Sequence, residues 1–251
     1  MHNSHIKVTF EIVDAIGIIT ISDPPANKLV LPEFIPVNQF LEWTSNPMLK
    51  GLIVKGEGRN FSLGGDLEAI FQTANDPESL NVLMADGHRL MHAIQNLDLP
   101  VVAAINRVCF GGGLEIALAC HIRVASENAM FAFPEVNQNL LPGMGGTVRL
   151  PALTGFSQAA MMILGGDTVN AIDAKKLGII DILAPKDQAL EYATDLLRKM
   201  THDRPVTVIR SVMQALKNAS RMSGQDAMRA ETRLFCSLAK EEALRRKMED
   251  S

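Results

Sequence analysis

An α/β fold, coiled from repeated β-β-α units and finished by a helical tail, is what this sequence predicts, and three observations carry that prediction. The succession strand, glycine turn, helix occurs twice, over residues 49–71 and 101–120. The strands read as continuous apolar runs instead of alternating ones, the pattern of a parallel sheet buried on both faces. From Gly155 onward the chain turns mainly helical.

Taken in order, residues 7–13 alternate as a strand and 16–21 follow after a short turn, so the pair reads as a hairpin. Pro24-Pro25-Ala26-Asn27 breaks the pattern, and apolar residues at helical spacing then run from Pro32 to Ser45. Pro32 suits the first turn of that helix, while Pro36 leaves its start open. Residues 49–55 form a short apolar strand, and helices are expected at 67–71 and 78–97. A buried strand at 101–105 leads into the second glycine turn, a helix at 114–120, and short strands at 122–125 and 130–133. Helices follow at 158–164, 171–177, 188–200, 206–219 and 226–248, with 179–183 the remaining strand. The break at His202-Asp203-Arg204-Pro205 divides an α/β core, 1–200, from a helical region, 201–251, whose amphipathic helices are expected to pack on another subunit.

The 251 residues are 47% hydrophobic and 21% charged, the balance of a soluble globular protein with ample length for a buried core. A net charge of −4 supplies no basic field for nucleic acid or anionic membrane. The one tight basic run, Arg245-Arg246-Lys247, is flanked by Glu241, Glu242, Glu249 and Asp250 and reads as a solvated helix face. No signal peptide is visible in the polar start, and no apolar run reaches the length of a membrane span. Cys109, Cys120 and Cys236 are scattered and without a CxxC, which points to a reducing compartment, and the expected setting is the cytoplasm or, after trimming, an organelle matrix. His88 and His92 share metal-binding spacing, but no third ligand accompanies them and no metal is expected. Neither a dinucleotide fingerprint nor a phosphate loop is present, and Ser62 lacks the frame of a serine nucleophile.

The chemistry-bearing residues gather around the glycine turns. Gly64-Gly65-Asp66 lies between a strand and a helix, where missing Cβ atoms permit unusual φ and close approach of a ligand. The bland alternative is a tight connection, and Asp66 reads as a helix N-cap, a shaping residue and not a proton carrier. Gly111-Gly112-Gly113 opens a helix, where free N–H groups and the positive dipole end point outward. Glu115 sits in the first turn of that helix, where a carboxylate is favoured in any case, and Glu135 follows Pro134 in a loop. Two sources of bare N–H groups and two carboxylates are the parts that oxyanion stabilisation with acid–base chemistry requires.

In the order Asn60-Phe61-Ser62-Leu63-Gly64-Gly65-Asp66-Leu67, Gly111-Gly112-Gly113-Leu114-Glu115, Phe133-Pro134-Glu135-Val136-Asn137 and Leu141-Pro142-Gly143-Met144-Gly145-Gly146-Thr147, these motifs resemble the enoyl-CoA hydratase/isomerase (crotonase) family across most of the chain. The resemblance implies the superhelix of β-β-α units shared by ClpP and crotonase, with the C-terminal helices near trimer contacts, in a homotrimer or homohexamer. It implies that the N–H groups of Gly65 and Gly112 bind the thioester oxygen of an acyl-CoA substrate. Glu115 and Glu135 would hold a water over the double bond, Glu135 delivering a proton to the α-carbon. Coenzyme A enters as part of the substrate and no separate cofactor is implied; Ala26, Lys28, Leu63, Gly64 and Asp66 are candidate contacts to it, and Met144 to the acyl group. Phe71, Met84 and His88 are further pocket candidates.

Both glutamates together favour hydration of a 2-enoyl-CoA to a 3-hydroxyacyl-CoA. Isomerisation, decarboxylation or thioester hydrolysis through the same enolate is the alternative. Three positions depart from the family's usual pattern: Leu63 where a small residue is usual, His121 where Asp is common, and Asn139 where glycine is frequent. His121 reads as structural, and Asn is the residue other than glycine that best tolerates positive φ. The tail also lacks the aromatic and basic closing segment of many relatives.

Overall fold

The computed structural model describes residues 7–30 and 33–249. The hairpin joins β1 (Lys7–Val13) to β2 (Ile16–Ser22) through Asp14 and Ala15, both at positive φ, the geometry a two-residue turn between twisted strands requires. There follow α1 (Val37–Thr44), β3 (Gly51–Gly56), α2 (Leu67–Thr73), α3 (Pro77–Gln95), β4 (Val101–Ile105), β5 (Val108–Phe110) and α4 (Gly112–Ala119). After β6 (Ile122–Ser126) and β7 (Met130–Ala132) comes a 3₁₀ turn, Pro134–Gln138, then α5 (Gly146–Thr154), α6 (Phe156–Gly165), β8 (Val169–Asn170), α7 (Ala171–Lys176) and β9 (Ile182–Ala184). The chain closes with α8 (Ala189–Thr201), α9 (Val206–Ala219) and α10 (Gly224–Glu249).

Six strands form the main sheet in the order β1-β2-β3-β4-β6-β9, parallel from β2 onward. The continuous apolar runs have a direct explanation in β4, where alternate residues serve two cores. Val101, Ala103 and Ile105 join the large cluster with Leu90, Ile94 and Leu114, while Val102 and Ala104 pack with Ala189, Ala193 and Leu197 of α8 on the opposite face.

A second sheet, β5-β7-β8, stands beside the first, and of its strands the sequence anticipates β7 alone. β5 and β8 are three and two residues long and carry no periodicity of their own. β5 stitches the two glycine turns together: Ser62 N–H donates to Val108 O at 3.1 Å, and Phe110 N–H to Ser62 O at 3.0 Å.

Two other expectations shift. The first helix starts at Val37, behind Pro36 as its N-cap, and Pro32 lies outside the described residues. The last strand begins at Ile182, because Ile179 and Ile180 turn off the end of α7, both N–H groups meeting the Ala174 carbonyl. A break at 202–205 separates α8, laid on the sheet, from α9, along which α10 packs.

Candidate functional site

The N–H groups that leave the first glycine turn divide their work. Leu29 N–H donates to Gly64 O at 2.9 Å, Asp66 N–H to Leu29 O at 2.8 Å and Leu63 N–H to Ala26 O at 2.9 Å, a ladder that passes over the N–H of Gly65. Gly112 is the first residue of α4, and the first intrahelical acceptor, Gly111 O, is taken by Glu115 N–H at 3.0 Å. The Gly112 N–H therefore has no partner within its helix.

The two turns meet closely enough that glycine is required on both. A Cβ on Gly64, which has φ +92°, would lie 2.8 Å from Phe110 O and 3.1 Å from Gly112 N. One on Gly113 would lie 2.7 Å from Ser62 Cβ and 2.8 Å from Ser62 O. Gly65 and Gly112 both line a cavity of about 690 Å³, together with Glu115, Glu135 and Met144.

Glu115 is 2% exposed. Its Oε1 accepts from Met144 N–H at 2.7 Å and from Gly146 N–H at 2.8 Å. The third glycine turn therefore holds the carboxylate from behind. Burial raises its pKa, against the pull of those two N–H groups and of the Arg149 and His88 charges.

Glu135 comes from the 3₁₀ turn, which ends on Asn139 at φ +57°, in the left-handed conformation expected of it. Its carboxyl passes against Gly111, where a Cβ would stand 2.5 Å from Glu135 Oε1. Glu135 Oε2 is buried and accepts no hydrogen bond. Burial pushes this carboxyl up to about 7; its own backbone N–H opposes the shift and the charge of Glu115 adds to it.

Apolar side chains make up most of the remaining wall, Leu67 and Ile70 of α2, Leu80 and Met84 of α3, and Leu140 and Leu141 after the 3₁₀ turn among them, with Asn139 beside them. Of the four pocket candidates, Met84 and Met144 line it, whereas Phe71 is 44% exposed on the outer side of α2 and His88 binds Gly143 O instead, at 2.7 Å. Ala26, Lys28, Leu63, Gly64 and Asp66 are not among the lining residues. Asp66 caps α2 by accepting from Glu68 N–H at 3.1 Å, and Lys28 and Leu63 are exposed.

Asn27, which sequence reasoning passed over, holds this segment in place. Fully buried at φ +49°, it donates to the carbonyls of Glu57 and Asn60 and accepts from Asp23 N–H. Its position beside the Pro-Pro break was the available signal.

His121 is structural, as its apolar surroundings suggest: Nδ1 accepts from Val101 N–H at 3.0 Å, Nε2 faces Gln95 O, and burial lowers its pKa. Arg245 and Arg246 pair with Glu242 on the surface of α10. Among the described residues no cluster of His, Cys, Asp and Glu could hold a metal, and no helix is long and apolar enough to cross a membrane.

Comparison with known proteins gives a consistent result. The family model described as enoyl-CoA hydratase/isomerase matches residues 11–250. A probable enoyl-CoA hydratase of Bacillus subtilis (strain 168) is 34% identical over 225 residues, covering 88% of this chain and 85% of the relative. The fatty acid oxidation complex subunit alpha of Shewanella frigidimarina (strain NCIMB 400) is 37% identical over 213 residues, which make up 82% of this chain but 30% of that longer protein. Among solved structures, DspI of Pseudomonas aeruginosa superposes with a TM-score of 0.85 at 32% identity, over 95% of this chain and 97% of that one.

Proposed function

This chain belongs to the enoyl-CoA hydratase/isomerase family, and from that premise we propose that it is an enoyl-CoA hydratase, adding water across the double bond of a 2-enoyl-CoA. The observation that carries this reading is the pair of carboxylates in one apolar cavity with opposite hydrogen-bonding environments. Two backbone N–H groups favour the ionised form of Glu115. Glu135 Oε2 has no donor, and burial of an oxygen without a donor favours the proton on that carboxyl. Environments that differ in this way assign base and acid.

The reaction follows from that assignment. Glu115 takes a proton from water as its oxygen bonds to C3. The π electrons move towards the thioester oxygen, which accepts from the N–H groups of Gly65 and Gly112. Glu135 then delivers its proton to C2, giving the 3-hydroxyacyl-CoA. Glu115 is left protonated and Glu135 ionised until the proton is exchanged back. Each oxyanion donor contributes about 10²–10³ in rate.

The apolar walls of α2 and α3 suit a plain aliphatic acyl chain. Exposed Val212, Leu216, Met228 and Phe235 on α9 and α10 support a homotrimer, or a hexamer made of two, and the helical region 201–251 is assigned to those contacts. Light scattering that finds a clean monomer would refute the assembly.

The reaction is tested by incubating the protein with straight-chain 2-enoyl-CoA thioesters in ¹⁸O-water. The expected product is a 3-hydroxyacyl-CoA labelled on the C3 oxygen. A shifted double bond, free coenzyme A or carbon dioxide, without the hydroxyacyl product, would overturn the reading in favour of another enolate reaction.

A further inference from the structure

We propose that His88 is a positioning residue for Glu115, acting through the single peptide unit that joins Gly143 to Met144. His88 Nε2 lies 2.7 Å from Gly143 O, and since a carbonyl only accepts, the contact assigns the ring proton to Nε2. The N–H of that same peptide belongs to Met144 and donates to Glu115 Oε1 at 2.7 Å. Imidazole and carboxylate thus sit at opposite ends of one amide. A donor on its carbonyl polarises the amide and strengthens its N–H as a donor to the carboxylate, the cooperative effect of linked hydrogen bonds.

α3 grips this peptide twice from one face. One turn before His88, Met84 packs on Gly143 so tightly that a Cβ there would meet Met84 Cε at 2.7 Å. The following carbonyl, Met144 O, is held from the other side by Arg149 Nη1 at 2.9 Å, and Arg149 Nε reaches Gln95 Oε1 on α3 at 3.1 Å. The loop carrying both donors to Glu115 is therefore clamped between α3 and α5. Three charged or titratable groups surround Glu115: His88 from α3, Arg149 from α5 and Glu135 from the 3₁₀ turn. His88 does not line the cavity, so its influence on the reaction passes through Glu115. With the His88 donor removed, the Met144 N–H is a weaker partner for the carboxylate, and the base is held less firmly.

The kinetic half of the test rests on the hydratase reading; the spectroscopic half does not. His88→Leu removes the donor and keeps apolar bulk, whereas His88→Gln keeps an N–H at similar reach. In His88→Leu, kcat falls about tenfold with KM unchanged, the size of one ordinary hydrogen bond, and His88→Gln recovers most of it. By infrared difference spectroscopy the Glu115 carboxyl, assigned by its loss in Glu115→Gln, titrates at higher pH in His88→Leu than in the wild type. Wild-type kcat with an unmoved carboxyl titration overturns the inference. So does a loss that Gln fails to rescue and that comes with a lowered Tm. If the wild type hydrates nothing while the carboxyl titration moves in His88→Leu and stays in place in His88→Gln, the hydratase reading falls and the positioning role stands; a titration that moves equally in both variants is loss of charge and overturns the inference.

Discussion

α2 and α4 each follow a glycine turn and each sits beside one unpaired N–H of the cavity, yet every residue of α4 is buried and no residue of α2 is. The N–H of Gly112 and the carboxylate of Glu115 are built into the core. The donor at Gly65 lies against a thin cover made of α2 and the first half of α3, which buries nothing before Gly87. The difference separates two demands on one cavity. Groups that meet developing charge gain by being immobile, while an apolar wall that admits acyl chains can be drawn from the less stable part of the fold.

The largest expected effect falls where the 3₁₀ turn lays a carboxyl against Gly111, just before α4. Glu135→Gln lowers kcat by about 10²–10⁴, the range for loss of a general acid, read from initial rates on a 2-enoyl-CoA. The same variant gains stability in alkali. The folded-state pKa of Glu135 is about 7 against 4.5 in the unfolded chain, so its contribution is present in acid and lost as pH rises through that interval. Melting curves should therefore match at low pH and favour Glu135→Gln at pH 8.

Next comes Gly113→Ala, on α4. The new Cβ would stand 2.7 Å from Ser62 Cβ and 2.8 Å from Ser62 O, with backbone and not a flexible tip in the way. Overpacking of this kind costs about 1–3 kcal/mol, to be read from urea unfolding.

On the cover, Leu80→Trp fills part of the cavity and leaves Met84 in its place on Gly143. Crotonyl-CoA is hydrated as before, while longer substrates lose about fourfold in kcat/KM for each methylene no longer buried. The smallest effect is Gly65→Ala: its Cβ meets only Ile70 Cδ1, at 3.4 Å, and stability changes by less than about 0.5 kcal/mol. Equal destabilisation by Gly113→Ala and Gly65→Ala would erase the distinction between core and cover.

How far the sequence anticipates this arrangement depends on how local each signal is. Strands β1 and β4 and helix α9 fall at the expected residues, because their patterning is long and uninterrupted. Asn139 and Asp66 do what their residue types suggest, one accepting positive φ and the other capping a helix. Gly65, Gly112, Glu115, Glu135 and Met144 meet in one cavity as the motif order implies.

The apolar wall was not legible in the same way. Leu80, Leu140 and Leu141 carry no mark that separates a lining leucine from a packed one, and Phe71 turns outward although its neighbour Ile70 turns in. β5 escaped notice because its three residues run straight into the glycine turn, yet it is what brings the two glycine turns together. The hold of Gly146 and Met144 on Glu115 is a backbone interaction, and side-chain identity does not announce it.

The pH dependence of crotonyl-CoA hydration tests the central claim most directly, followed as loss of the conjugated enoyl absorbance from about pH 5 to pH 9 with Glu135→Gln alongside. The account predicts that kcat/KM falls above about pH 7, where Glu135 loses its proton, and that Glu135→Gln is nearly inactive throughout. A wild-type rate that stays level into alkali, with Glu135→Gln as active as the parent, would contradict it.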